Sequence, residues 1–180
     1  MSRAVLISIR PKWCEKIANG EKTIEIRKRR PKLETPFKCY IYCTKAPERL
    51  IGILKDGDEN YGEIYHGKTV FIKTGEGSVC DMWGKRQKVI GEFVCDEITE
   101  IDGARRIKSD VARPTCLEPT ELHKYLGVAV GYGWHISNLK VYDEPKKLSE
   151  FTGLRKTKFG MEPVTITRPP QSWGYVEELP

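Results

Sequence analysis

The chain has 180 residues, of which 39% are hydrophobic and 31% charged, with a net charge of +6. This length can bury a core without disulfides or a structural metal, and the apolar and aromatic content excludes an intrinsically disordered chain. The charge is uneven: residues 1–45 hold twelve Lys and Arg against four Glu. Such an asymmetry attracts phosphate backbones or acidic surfaces.

The opening "MSRAVLISIRPKW" has only a short apolar run before Arg10 and Pro11, too short for the core of a signal peptide, and no stretch reaches transmembrane length. A cytoplasmic protein with no membrane partner is expected. Six scattered cysteines make no CxxC pair and are expected as reduced, mostly buried thiols rather than metal ligands. Cys39 and Cys43 share a strand face about 13 Å apart, too far to ligate one metal. His66, His123 and His135 are isolated, and no metal or cofactor is expected. Nucleotide hydrolysis is not expected, because no Gly-rich loop precedes the lysine of "GEKT".

In chain order, "AVLISI" (4–9) reads as a buried strand, and "RPKWCEKIANG" as a two-turn helix with Pro11 at its first position and Gly20 as its stop. Trp13, Ile17 and Cys14 are expected on its inner face. In "TIEIR" (23–27), alternation puts Ile24 and Ile26 on one side and Glu25 and Arg27 on the other. "FKCYIYCT" resumes as a strand occupied on both faces, which predicts a central position. The stretch 50–88 is read as loops and a hairpin with one clear strand, "KTVFIKT", and as an insertion into a single domain spanning 1–180.

"KVIGEFVCDEITEI" predicts one long strand over 88–101, with Gly91 marking a bulge or bend. "TCLEPTELHKYLG" predicts a helix from Pro119 to the stop at Gly127, with Leu122, Tyr125 and Leu126 apolar. "GWHISNLKVYDEPKKLSEF" reads as a strand, a turn around Pro145 and one helical turn. "PVTITRPPQSWGYVEEL" reads as two short strands about a Pro-Pro stop. Six or seven strands with two or three short peripheral helices predict an α+β fold built on a partly open β-barrel.

"RKRRPK" (27–32) places five positive side chains in six residues. With Arg10, Lys12, Lys16 and Lys22 nearby, it predicts a polyanion groove in which Arg27, Arg29 and Arg30 grip phosphates, with Trp13 and Trp173 as stacking platforms. Lys22 and Glu25 are the candidate acid–base pair. Three residues apart on a regular strand they point to opposite faces, so cooperation requires a bulge or a strand that begins after Lys22. Otherwise Lys22 caps the preceding helix and Glu25 pairs with Arg27.

The string "LISIRPKWCEKIANGEKTIEIRKR", Leu6 to Arg29, resembles the opening motif of the ASCH domain family, relatives of the PUA-like RNA-binding fold. "VIGEFVCDEI", "YGWHISNLKVYDEP" and "RPPQSWGYVE" resemble the remaining strands of bacterial and phage-borne members. The resemblance implies a PUA-like barrel with a cleft lined by the GxKTxExR segment and used on RNA or on modified nucleosides. Some members resemble amidohydrolases that deacetylate acetylcytidine with a Lys, a Thr three residues on and a downstream Glu; others resemble ribonucleases. The lysine corresponds to Lys22, Glu25 stands in place of the threonine, and no residue aligns with the downstream glutamate. Three readings follow. The first is an RNA-binding module in which Ser8, Arg10, Lys12, Trp13, Lys22, Arg27, Arg29, Arg30 and Trp173 meet the nucleic acid. The second is a hydrolase or ribonuclease using Lys22 and Glu25. The third is a protein-interaction module with a basic face.

Overall fold

Pro11, whose missing N–H and fixed φ suit a first helical position, starts a helix that ends where Gly20 turns the chain at φ +71°. This helix lies between two parallel strands, and the other described strand pairs are antiparallel. In the computed structural model, residues 2–45, 50–54, 70–73 and 87–180 are described, the two short middle segments as backbone. They form β1 (Arg3–Ile9), α1 (Pro11–Ala18), β2 (Ile24–Arg27), β3 (Phe37–Cys43), β4 (Leu50–Leu54), β5 (Val70–Lys73), β6 (Lys88–Cys95) and β7 (Ile98–Asp102). After these come α2 (Ser109–Ala112), α3 (Pro119–Leu126), β8 (Val130–His135), β9 (Ser137–Lys146), β10 (Thr152–Thr157), β11 (Gly160–Thr165) and β12 (Trp173–Glu177).

A seven-stranded sheet runs β11-β10-β12-β1-β3-β6-β9, and a three-stranded sheet runs β2-β8-β7. Among the described strands only β1 and β3 pair in parallel, and the connection between them carries α1 and β2. β3 is central, as its two apolar faces predict. Cys39, Ile41 and Cys43 pack toward α1 and Trp134, while Tyr40 and Tyr42 pack with Tyr142 and Phe151 on the opposite face. β4 and β5 form a separate antiparallel pair that contains the "VFIK" of the expected strand; residues 55–69 and 74–86 of that stretch lie outside the described residues.

Several expected elements divide. The single strand expected over 88–101 is two strands in different sheets: β6 leaves the large sheet at Asp96, and β7 pairs with β8 in the small one. Likewise β8 passes through Ile136 into β9, so the chain twice turns a corner from one sheet to the other. Pro145 lies inside β9 rather than at a turn, tolerated because β9 is the edge strand of the sheet, with no partner on its outer side among the described residues. The strand expected at "PVTIT" is the second arm of a hairpin, β10–β11, whose first arm no sequence signal marks. The described residues thus hold twelve strands where six or seven were expected. The sheets remain open rather than closed into a barrel, and the α+β class stands.

Gly91 marks a bulge. The register slips there against both β3 and β9, which lets Ile90 and Phe93 enter the same core cluster although they lie three residues apart. A Cβ at Gly91 would sit 2.5 Å from the Lys140 carbonyl oxygen, so only glycine admits this approach. Below the small sheet, Ile26, Ile101, Ala112, Leu122 and Leu126 form a separate cluster against α2 and α3, whereas Tyr125 turns outward.

The C-terminus is fastened across the large sheet. The Glu178 carboxylate accepts from the Ser2 hydroxyl at 2.6 Å and pairs with Lys38 at 3.2 Å, while the Leu179 N–H donates to the Tyr40 hydroxyl. The Ser2 hydrogen bond, aided by Lys38, holds Glu178 below the usual carboxylate range. A lowered folded-state pKa adds stability that is present above the unfolded value and lost as pH falls through the folded one. Glu178→Gln should therefore cost under about 1 kcal/mol at neutral pH. The gap from wild type should close as pH falls below about 4, measured by urea unfolding across pH; a gap that stays constant would reject this role.

Candidate nucleic-acid interface

Lys22 enters the site because α1 ends as it does. After the turn at Gly20, the N–H groups of Glu21 and Lys22 both reach the Lys16 carbonyl, and Thr23 N–H donates to the Pro114 carbonyl before β2 begins at Ile24. Lys22 is therefore outside the strand register. Its ammonium meets Glu25 Oε2 at 3.2 Å, where a regular strand would have turned the two apart.

The three hydrogens of Lys22 each have an acceptor: Glu25, the Ile24 carbonyl at 2.9 Å and the Thr115 carbonyl at 2.8 Å. Thr115 is wholly buried at the end of a 3₁₀ turn (Arg113–Thr115). Its hydroxyl donates to the Ala112 carbonyl and accepts from Leu117 N–H, which fixes the carbonyl aimed at Lys22. The other oxygen of Glu25 accepts from Arg27 at 2.8 Å. Arg27 crosses to the large sheet, donating to the Ser8 carbonyl at 2.8 Å and to the Ser172 hydroxyl at 3.2 Å. Lys22 is 3% exposed and Glu25 6%, so their charges are compensated almost wholly by one another, by Arg27 and by backbone carbonyls.

Above this buried chain opens a cleft of about 1390 Å³ at the open end between the sheets. Nine Lys and Arg side chains line it against a single carboxylate, Glu25. Glu25 is already paired on both oxygens, so the cleft presents a strongly positive field to an incoming ligand.

The aromatic wall is layered. Trp173 packs against the buried Trp134 with centroids 5.9 Å apart and against Tyr175 at 5.4 Å. Trp173 Nε1 donates to the Arg29 carbonyl, and Lys32 N–H donates to the Tyr175 hydroxyl, so the basic turn is pinned to β12 at two points. On the opposite wall Trp13 lies beneath two ammonium groups, Lys12 at 4.8 Å and Lys22 at 5.2 Å from the ring centre.

Of the residues expected at the site, Ser8, Arg10, Trp13, Lys22, Glu25, Arg27, Arg29, Arg30 and Trp173 all line the cleft. Lys12 does not line it and reaches it only through the Trp13 ring. Ser8 is buried and its hydroxyl donates to the Pro170 carbonyl, so it braces the wall. Sequence reasoning missed Arg3, Tyr125, Lys156 and Tyr175, which come to the cleft from β1, α3, β10 and β12. Tyr125 carries Lys28 over its ring at 5.2 Å. No local pattern marks these residues, since each arrives through tertiary packing.

Among the described residues no His, Cys, Asp and Glu cluster has the grouping of a metal site. Burial pushes the Cys14 and Cys39 thiols well up and Cys95 up to about 12, so none of the three offers a thiolate at neutral pH. Cys80 lies outside the described residues. No helix among the described residues is long and apolar enough to cross a membrane.

Fold and site together define an open, strand-rich α+β protein with a basic, aromatic-walled cleft. Its architecture is shared with solved ASCH structures. The solved structure of ASCH from Zymomonas mobilis shares it at 17% identity and a TM-score of 0.52, covering 97% of this chain and 88% of that one. A tyrosine-to-phenylalanine form of the Zymomonas mobilis protein matches at 17% identity and a TM-score of 0.53 over 97% and 91% of the two chains. A serine-to-alanine form matches at 17% and 0.52 over 97% and 89%. No protein-family model matches the chain, and no curated protein matches it significantly.

Proposed function

We propose that the cleft binds nucleic acid, with RNA the intended ligand, the basic turn gripping the backbone and the aromatic walls receiving an unpaired base. The observation that carries this reading is the convergence of nine cations on one cleft whose single carboxylate is internally neutralised. Arg29 and Arg30 are exposed and unspent on acidic partners among the described residues, while Lys22 and Arg27 form the braced floor. RNA is preferred over DNA on the resemblance to ASCH proteins, and single-stranded segments suit aromatic walls better than a stacked duplex.

Affinity for a single-stranded RNA oligomer should fall steeply with salt because binding releases counterions. Arg29→Ala should weaken binding at every sequence tested and lower the slope of log K against log salt by about one. A flat salt response, or no binding at low salt, would sink the reading.

A second reading rests on the 3.2 Å contact between Lys22 and Glu25 in the cleft floor, where the pair would act as acid and base on a modified nucleoside or on RNA. It is the weaker one because every Lys22 hydrogen already has an acceptor, so proton transfer would first break a buried contact. Turnover of acetylated cytidine or cleavage of RNA by the wild-type protein would support it, and inertness toward both would remove it.

A further inference from the structure

The β10–β11 hairpin reaches the rim of the cleft, which Lys156, Gly160 and Met161 help to line. Its two-residue loop, Lys158 and Phe159, joins Thr157 to Gly160, which pair directly across the hairpin. Gly160 closes the turn at φ +125°, a conformation that a side chain would strain. The Thr157 hydroxyl braces the loop from inside, accepting from Phe159 N–H at 3.1 Å and donating to Glu162 Oε1 at 2.9 Å.

Although the loop is braced, Phe159 is 82% exposed, with the Lys158 ammonium over its ring 4.9 Å from the centre. A phenylalanine held away from the sheet forgoes about 1.5–3 kcal/mol that burial would give. The charges around it are Arg155, Lys156 and Lys158 against Glu162, and Glu162 is engaged by Thr157. An exposed ring among cations at the lip of a positive cleft has the chemistry to stack a base and hold the phosphates beside it.

We propose that this hairpin is a second contact for single-stranded nucleic acid. A strand leaving the cleft past Lys156 stacks an unpaired base on the face of Phe159 that Lys158 leaves open, and Lys158 meets a neighbouring phosphate. The inference rests on the reading of the cleft as a nucleic-acid site, and it extends that site by the length of the hairpin tip.

The test compares two RNA oligomers of about four and about twelve nucleotides, which span the site sizes usual for single-strand binders. Phe159→Ala should weaken the longer oligomer by about five- to 150-fold and leave the shorter within about two-fold, because one stacked base contributes roughly 1–3 kcal/mol. Phe159→Trp should retain the longer oligomer, and both variants should melt with wild type, since the ring supports nothing in the fold. Equal affinity of wild type and Phe159→Ala for the longer oligomer overturns the proposal and leaves the ring to a protein partner. An equal loss for both lengths overturns it too, since the effect would then lie in the cleft. Failure of wild type to bind either oligomer is a different result, and it rejects the cleft reading itself.

Discussion

Lys22→Met is expected to destabilise the fold by about 3 kcal/mol, lowering the melting temperature by roughly 6–12 °C for a chain of this size. The substitution keeps most of the apolar stem and removes three donors. Glu25, 6% exposed, would keep only Arg27, and the buried Thr115 carbonyl would lose the donor aimed at it. Breaking a buried pair from one side leaves an uncompensated charge, which costs more than the pair contributes. Removing both charges should cost less than the sum of the two single changes, so Lys22→Met with Glu25→Gln should recover part of the loss. Urea unfolding of the four proteins measures this directly. A Lys22→Met variant within about 0.5 kcal/mol of wild type, coupled to loss of turnover on acetylated cytidine, would instead make Lys22 a reacting group and reject the anchoring role.

The anchor also shows where sequence reasoning reaches and where it stops. The unit from β1 to β2 is legible because its signals are local: Pro11 and Gly20 punctuate the helix, and alternation separates Ile24 and Ile26 from Glu25 and Arg27. Even the condition for Lys22 to meet Glu25, a strand that begins only after Lys22, can be posed from spacing. What cannot be posed is the partner. The carbonyl of Thr115 lies 93 residues away, delivered by a 3₁₀ turn that no pattern in the sequence ties to Lys22.

The same distinction explains the strands. The apolar pattern of Lys88–Cys95 breaks at the adjacent charges Asp96 and Glu97 before Ile98 and Ile101, but that break alone does not say that the sheet changes there; pairing with β8 decides it. Of the β10–β11 hairpin only the second arm is legible, through "PVTIT"; β10 is mostly exposed and polar, so the alternation that marks a half-buried strand is missing from "TGLRKT". The cleft was legible as charge, through the basic run from Arg27 to Lys32, but its second wall was not. Arg3, Tyr125 and Lys156 become neighbours of that run only once the two sheets face each other.

Trp134 joins the core to this cleft, and its loss should be the most damaging single change in the described structure. It is wholly buried, meets Phe37 edge-on at 5.9 Å and backs Trp173 at the same distance. It also pairs across the small sheet with Glu25, and directly opposed residues share a face, so the indole lies beside the carboxylate that anchors Lys22. Trp134→Ala should cost about 4 kcal/mol from lost burial and the cavity left behind. Trp134→Phe keeps an aromatic ring and gives up no hydrogen bond, because the indole nitrogen has no partner among the described residues; it should cost about 1–2 kcal/mol. The effect should carry to binding. Trp173, which holds the Arg29 carbonyl, would lose the surface it leans on, so folded Trp134→Phe should bind RNA less tightly than wild type while keeping the same salt slope, since no phosphate contact is removed. A drop in slope would place Trp134 among the determinants of charge contact, and unchanged stability in Trp134→Ala would mean that the two sheets do not rest on it.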